Sequence, residues 1–179
     1  NDLDVKWFES VGDGVTGDAA AILSTASTGN NVCASPGTYL IDADITIPES
    51  VTIEFAEGAI FQIGTGITLT YNGSIIAGAY QQIFSGDLVQ SAFLSGATPP
   101  YTFGVQGSPK SVASSPYWFG AAGDDTAIDS DALDSWLYFG TSLYLAKGVF
   151  KTGRDHNLKR SNVHIFGEGK ASELHGTAG

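Results

Sequence analysis

WFESVGD at Trp7–Asp13 returns as WFGAAGD at Trp118–Asp124, an offset of 118 − 7 = 111 residues. Further positions keep their character at the same offset, in the pairs Asp18 and Asp129, Ile22 and Leu133, Val32 and Leu143, Gly37 and Gly148, and Tyr39 and Phe150. A pattern that is repeated over this length indicates a structural unit that the chain uses twice. We therefore predict two opening units in tandem.

A short helix is predicted after each copy of the opening pattern. The helical sequences are DAAAILSTA at 18–26 and SDALDSWL at 130–137. Asp18 in the first copy, and Asp129 or Ser130 in the second, stand where a residue that caps a helix N-terminus belongs. Their side-chain oxygens could accept hydrogen bonds from otherwise unpaired amides, so we predict a capping role for them.

Short β segments follow the first helix. Apolar and polar residues alternate in each of them, which is typical of strands with one buried face. They lie at 38–41, 45–47, 51–55, 59–63, 67–71 and 74–76. The separators are too short for crossover helices, and the turn signals come too often for a β-sandwich. Strands of this length favour a solenoid, in which each coil stacks its side chains on the next.

The chain is divided by the repeat into three segments. Residues 1–79 are predicted to form a first short unit, 80–116 a connector, and 117–179 the start of a second unit that we expect to be truncated. Loop-forming sequences at Ser95–Pro100 and Ser108–Ser111 mark the connector. Either the parent protein continues beyond the second unit or a short terminal module caps itself.

The charge of the chain excludes two classes of partner. The formal net charge is −11, which argues against nucleic acid and anionic membranes as partners, because both are bound through rows of Lys and Arg. No apolar run approaches the length of a membrane span, so we predict no membrane insertion. We also find no signal peptide, and Cys33 alone can form neither a disulfide framework nor a cysteine-based metal site.

The basic residues are concentrated in one stretch. Five of the eight lie close together, at Lys147, Lys151, Arg154, Lys159 and Arg160. This cluster could receive an acidic polysaccharide or another subunit. It could equally be a solvated loop, which is the usual role of a charge run.

Catalytic residues cannot be assigned from the sequence. Glycoside hydrolysis needs two carboxylates about 5–9.5 Å apart; Asp124 and Asp125 are adjacent, but such residues on a turn more often bind backbone amides. A β-elimination lyase would use a base and a cation, and Lys151–Arg160 contains both residue types without a recognised spacing. The catalytic residues therefore stay unknown.

We predict no metal and no cofactor. The histidines, His156, His164 and His175, lack the spacing of a helical zinc site, and His164 is predicted to point outward from a strand. The carboxylates of Asp129–Asp134 resemble a calcium loop only superficially, because the glycine of the turn and the terminal glutamate are missing. The chain contains no glycine-rich phosphate-binding loop that ends in Lys-Ser or Lys-Thr.

The opening pattern carries a resemblance to a known family. Trp7–Asp18 with its alanine-rich helix, followed by Pro36–Leu40 and Ile45–Ile53, resembles the start of the pectate-lyase-like right-handed parallel β-helix superfamily. The resemblance covers residues 5–63 and resumes in weaker form at 117–169. The arrangement of the chain, with a first partial unit followed by a second Trp-Phe-Gly opening, is similar to that of bacteriophage tailspikes.

The resemblance implies a fold and a function. The implied fold class is mainly β, with right-handed parallel β-helix units and short N-terminal capping α-helices. The implied protein is a homotrimer in the virion, at the phage tail, which contacts other phage tail or baseplate proteins and acts extracellularly at the host surface. Tailspikes recognise bacterial surface polysaccharide, either capsule or O-antigen, and many members cleave it.

The matching residues in this chain are those that open the fold, whereas the catalytic acids of the family lie in later coils. We therefore expect the N-terminal structural and assembly part of a tailspike, whose parent is a polysaccharide depolymerase acting as glycoside hydrolase or lyase. One alternative is a stand-alone secreted polysaccharide lyase or glycoside hydrolase. Another alternative is a non-enzymatic glycan-binding adhesin module.

Overall fold

The computed structural model describes residues 3–29, 31–88, 104–110, 113–156, 158 and 161–176. The fold is mainly β with parallel sheets. The strands are β1 Leu3–Asp4, β2 Asp13–Gly17, β3 Val32–Ala34, β4 Gly37–Ile41, β5 Ile45–Ile47, β6 Thr52–Phe55, β7 Ala59–Ile63, β8 Thr68–Tyr71, β9 Ser74–Ile76, β10 Phe84–Gly86, β11 Gly104–Gln106, β12 Asp124–Ile128, β13 Ser142–Leu145, β14 Gly148–Thr152, β15 His164–Gly167 and β16 Ser172–Gly176. The predicted segments between residues 38 and 76 are all strands, β4 to β9.

Two α-helices occupy equivalent positions in the two copies. Helix α1 spans Ala19–Ser27 and α2 spans Ser130–Tyr138, so both begin and end at the same positions of the sequence repeat. Short 3-10 helices precede them at Val5–Phe8 and Pro116–Phe119, and a third lies at Gly169–Ala171. Within the described part of the chain, no helix is long and apolar enough to cross a membrane.

The strands of the first copy fall into three parallel sheets, ordered β1-β3-β6-β9, β2-β4-β7-β10 and β5-β8-β11. From β3 onward the chain visits these sheets in a fixed order, so strands that are adjacent in sequence lie in different sheets. In the second copy the orders are β12-β14-β16 and β13-β15. The equivalent strands β2 and β12 each pair with the second strand after the helix, β4 and β14.

The core consists of side chains that lie in register from strand to strand. Ile53 is paired with Val32 on one side and with Ile75 on the other, and all three are fully buried. In the next sheet Phe61 stands between Tyr39 and Phe84. Burying a side chain of this kind stabilises the fold by about 1.5–3 kcal/mol, so these ladders supply much of the favourable free energy of folding.

The capping role that we predicted for Asp18 and Asp129 is wrong. Both residues occupy N-cap positions, but neither side chain bonds to a helix amide. The carboxylate of Asp18 instead accepts hydrogen bonds from the amides of Val11 at 2.7 Å and Gly12 at 3.3 Å. Asp129 does the same, with Ala122 N at 2.7 Å. Each buried carboxylate therefore anchors the loop between the aromatic pair and the Gly-Asp turn.

Strands occur within the residues that we predicted as a connector. Strand β10 extends the sheet of β7, with Phe84 beside Phe61, and β11 extends the sheet of β8. The predicted loop at Ser95–Pro100 lies outside the described residues. The boundaries 1–79, 80–116 and 117–179 remain a prediction.

The second opening unit packs on the end of the first copy. Trp118 is 1% exposed, and its indole N–H donates a hydrogen bond to the carbonyl of Gly78 at 2.8 Å. Beside it, the rings of Phe119 and Phe84 lie 5.4 Å apart. Trp7, at the same position of the repeat, is 69% exposed. One sequence pattern therefore serves as a buried joint in one copy and as an exposed surface in the other.

Candidate functional site

A polar cluster joins helix α2 to the loop after β14. At its centre is Asp134, whose side chain is only 2% exposed. The Nε and Nη2 atoms of Arg154 lie 3.0 and 2.6 Å from Oδ2 of Asp134, and Nδ1 of His156 lies 2.6 Å from Oδ1. Arg154 also binds Asp131, with Nη2 at 2.5 Å from Oδ1. A carboxylate at this depth is stable only because it is paired and hydrogen-bonded on both oxygens.

The hydrogen bonds continue from His156 to two hydroxyl groups. Nε2 of His156 lies 2.5 Å from Oγ1 of Thr152, which in turn lies 3.2 Å from Oγ of Ser130. The carboxylate of Asp134 favours a proton on Nδ1, because that nitrogen can then donate to it. In neutral His156 this leaves the lone pair of Nε2 directed at the Thr152 hydroxyl.

Arg154 keeps its charge despite partial burial. Loss of solvent would by itself lower the pKa of the guanidinium, but the hydrogen bonds that it donates to Asp134 and Asp131 outweigh this loss and raise the pKa. The positive charge therefore stays beside the Asp134 carboxylate and balances it. Arg154 also borders a cavity of about 300 Å³ whose other lining residues are Thr152, Gly153, Asp155 and Gly176.

The first copy builds the equivalent corner without this cluster. At the offset of the sequence repeat, Asp134 falls on Leu23, Thr152 on Ile41 and His156 on Ile45. Ile41 and Ile45 belong to the buried apolar core. The fold therefore does not require polar side chains at these positions. The cluster is a feature that the second copy adds to a shared framework.

The predicted basic cluster is only partly brought together. Arg154 is held by two aspartates, and Lys151 lies on β14, while Lys159 and Arg160 lie outside the described residues. The contact made by Lys147 is through its backbone: its carbonyl accepts a hydrogen bond from Tyr117 Oη at 2.9 Å. Of the residues that suggested lyase chemistry, Arg154 and His156 meet on the same carboxylate.

Asp124 and Asp125 have different partners. Oδ1 of Asp124 accepts hydrogen bonds from the amides of Ala127 and Thr126, both at 2.9 Å, and these bonds lower the pKa of its carboxyl group. Asp125 turns the other way and lies 2.9 Å from Nδ1 of His175. Asp124 therefore has the turn role that adjacent aspartates commonly have.

The structure also places the remaining candidate ligands. Among the described residues, no group of three or more His, Cys, Asp or Glu side chains could hold a metal ion. Asp131 and Asp134, which resembled part of a calcium loop, both bind Arg154. His164 is exposed, as predicted, and its ring stacks on that of Phe166 at 5.3 Å.

A second polar contact links the two copies at the surface. Oε1 of Glu168 accepts hydrogen bonds from the hydroxyls of Tyr144 and Tyr80, the latter at 2.8 Å. Tyr80 is 57% exposed and borders a cavity of about 340 Å³ that also includes Glu57 and Gln81. The Tyr144 contact raises the pKa of the Tyr144 hydroxyl to about 12.

We expect the Glu168 contact to make stability depend on pH. The hydrogen bonds from Tyr144 and Tyr80 lower the pKa of Glu168 below its ordinary value of 4.5. Their contribution is therefore complete above about pH 4.5 and is lost as the pH falls through the lowered pKa. The difference in Tm between the wild type and Glu168→Gln should shrink between pH 6 and pH 3. A difference that stays constant over this range would contradict the assignment.

The sequence did not reveal the hydrogen-bonded series of side chains formed by Asp134, His156 and Thr152. These residues lie on a helix, a loop and a strand, and no known spacing connects them. A signal was nevertheless present, because apolar residues of the first copy are replaced by Asp and His at the same positions of the repeat. Comparison of the two copies could therefore have singled out the site.

Comparison with known proteins adds no relative. No protein-family model matches the chain, and neither a curated protein nor a solved structure matches it at a significant level.

Proposed function

We propose that this chain is the N-terminal structural and assembly part of a bacteriophage tailspike, built as a right-handed parallel β-helix. Three parallel sheets visited in a fixed order support this architecture. The right hand follows from the strong preference of connections between parallel strands of one sheet. Helices α1 and α2, each at the start of a copy, serve as the capping elements.

The observation that carries the proposal is the packing of the second opening unit on the end of the first copy. The buried indole of Trp118, bonded to Gly78, provides a fixed joint between successive β-helix units. Such a joint suits a rigid stem, because a buried aromatic side chain fixes the two units to each other, whereas a flexible linker would let them move. In this proposal the chain has a mainly structural role within the virion.

The proposed assembly is a homotrimer that also contacts other phage tail or baseplate proteins. The first opening unit exposes Trp7, Val11 and Val15. Exposed apolar side chains that lie close together in sequence are typical of surfaces that contact another protein. We assign them to contacts with a neighbouring subunit or tail protein.

The parent protein is proposed to bind and depolymerise bacterial surface polysaccharide, either capsule or O-antigen, outside the cell. Its depolymerising carboxylates are assigned to later coils. A glycan-binding module is the second candidate. The exposed ring of Tyr80 beside the cavity with Glu57 favours it, because an aromatic face next to polar groups suits a sugar ring.

Sedimentation equilibrium of the purified chain tests the assembly role. We expect a mass of three chains that does not change on dilution through the micromolar range. Replacement of Trp7 by serine should shift the population towards monomer if this surface contributes to the trimer. A wild-type chain that remains monomeric at the highest concentrations would contradict the proposal.

The size distribution of capsule and O-antigen polysaccharides after incubation with the chain tests whether cleavage is confined to later coils. We expect no shortening of the polymers, since their cleavage is assigned to later coils. Shortening would place a depolymerase site within these residues and would favour the stand-alone enzyme. Saturable binding without cleavage, abolished by Tyr80→Ala, would favour the glycan-binding module.

A further inference from the structure

We propose that Thr152, His156 and Asp134 form an esterase site that hydrolyses small carboxylic esters. The carboxylate of Asp134 and the imidazole of His156 are 2.6 Å apart, and the imidazole and the Thr152 hydroxyl are 2.5 Å apart. Acid, base and hydroxyl therefore stand in the order that activates an oxygen nucleophile. This activity lies beyond the structural role proposed above and beyond polysaccharide depolymerisation.

The repeat supports a functional reading of these side chains. The first copy has Leu23, Ile41 and Ile45 at the offset of the sequence repeat, so the shared framework forms without a carboxylate at the position of Asp134. Burying an ionised group costs free energy that apolar side chains would not cost. Such a cost is commonly found at functional sites, where it is offset by the stability of the surrounding structure.

Thr152 lines the cavity of about 300 Å³, which is therefore the place that we assign to the substrate. This volume lies at the lower end of the range for ligand sites, roughly 300–1,000 Å³, and fits a small acyl group. Arg154 lines the same cavity while it binds Asp134 through Nε and Nη2. In the proposed reaction its positive charge, at the wall of the cavity, would stabilise the negative charge that develops on the carbonyl oxygen of an ester.

The Thr152 hydroxyl has three acceptors within reach, one of which is Oγ of Ser130 at 3.2 Å. Besides Nε2 of His156, the carbonyl oxygen of Arg154 lies 2.8 Å from Oγ1. Rotation about the Cβ–Oγ1 bond moves the proton from the carbonyl to the imidazole. Asp134 acts through His156 and is a positioning residue, since it holds the Nδ1 proton and directs Nε2 at the hydroxyl.

The reaction proceeds in two steps. Oγ1 of Thr152 attacks the ester carbonyl carbon while its proton passes to Nε2 of His156. The bond from that carbon to the alcohol oxygen then breaks, the alcohol leaves with the proton from His156, and an acyl-threonine remains. Water attacks the acyl-threonine, with His156 again taking and returning a proton, so that the carboxylic acid is released and the hydroxyl is restored.

Hydrolysis of p-nitrophenyl acetate and labelling by diisopropyl fluorophosphate test the proposal. Thr152→Val should lower the hydrolysis rate by at least about a hundredfold, as should His156→Gln, which keeps hydrogen-bonding groups but cannot act as the base. Thr152→Ser should retain activity because it keeps the hydroxyl. Thr46→Val is the matched control, since Thr46 is an exposed residue of β5 and its loss should leave the rate unchanged.

Labelling gives a second result that does not depend on a variant. The phosphorus of diisopropyl fluorophosphate should become bonded to Oγ1 of Thr152 with loss of fluoride, which mass spectrometry of the tryptic peptides would locate. Thr152→Val should fold normally, because Ile41 occupies the equivalent position in the first copy. Absence of label on Thr152 of the wild-type chain, or a folded Thr152→Val variant with the wild-type rate, would overturn the proposal.

Discussion

Replacement of Ile53 by aspartate is expected to unfold the first copy. Ile53 is fully buried in β6, and its neighbours in register are Val32 and Ile75. These offer no cation and no hydrogen-bond donor to a carboxylate. A buried, unpaired charge is among the few changes that cost more than about 4 kcal/mol, a large part of the roughly 5–15 kcal/mol by which a domain is stable. The loss should be measured by urea unfolding followed by circular dichroism.

Thr46→Asp is the matched control for this substitution. Thr46 lies on β5 with its side chain exposed, between the buried Ile45 and Ile47. The same carboxylate placed there remains in water and should change the free energy of unfolding by about 0.5 kcal/mol or less. An Ile53→Asp variant with the urea midpoint of Thr46→Asp would show that Ile53 does not lie in the core.

Removal of the Trp118 side chain is expected to have the second largest effect. Trp118→Ala leaves a cavity between the two copies and leaves the carbonyl of Gly78 without its indole donor. Deletion of a buried Trp or Phe side chain costs about 3–5 kcal/mol. We also expect the two copies to unfold in separate transitions, because the joint between them is lost. Differential scanning calorimetry would resolve these transitions.

The repeat supplies the control for this experiment. Trp7→Ala removes the same side chain from the same sequence pattern, but Trp7 is exposed. Trp7→Ala leaves no cavity within a single chain, so it should lower the free energy of unfolding much less than Trp118→Ala. Equal losses of stability in Trp7→Ala and Trp118→Ala would contradict the assignment of Trp118 to a buried joint.

Local patterns were sufficient to predict the two α-helices and strands β4 to β9, but not β10 and β11. The alternation of apolar and polar residues identified β4 to β9, because one face of each of these strands is buried. The helices were predicted from their position after the Gly-Asp turn, and both copies agree. These features depend on residues that are close in sequence, so they can be read without a structure.

Features that depend on specific side-chain contacts were not predicted, whether the partners are near or distant in sequence. Asp18 and Asp129 have the position of helix caps, yet their carboxylates turn back to the preceding loop, where several amides need an acceptor. Trp118 is buried against the segment that contains Gly78, whose carbonyl accepts its indole hydrogen bond. The sequence repeat gives no sign of this contact. The site at Asp134 likewise needs three elements to meet, and the sequence alone does not bring them together.

The parallel pairing of strands has a consequence for the order of folding during synthesis. Gly37 pairs with Ala59 and Phe61 with Phe84, so each strand needs a partner that left the ribosome only shortly before it. In a solenoid, which is the architecture proposed above, stacked units can add to a preformed edge one after another. Because an emerging chain folds from its N-terminus, the Gly78 carbonyl should be in place before Trp118 is made. The surface that receives Trp118 therefore forms before Trp118 itself.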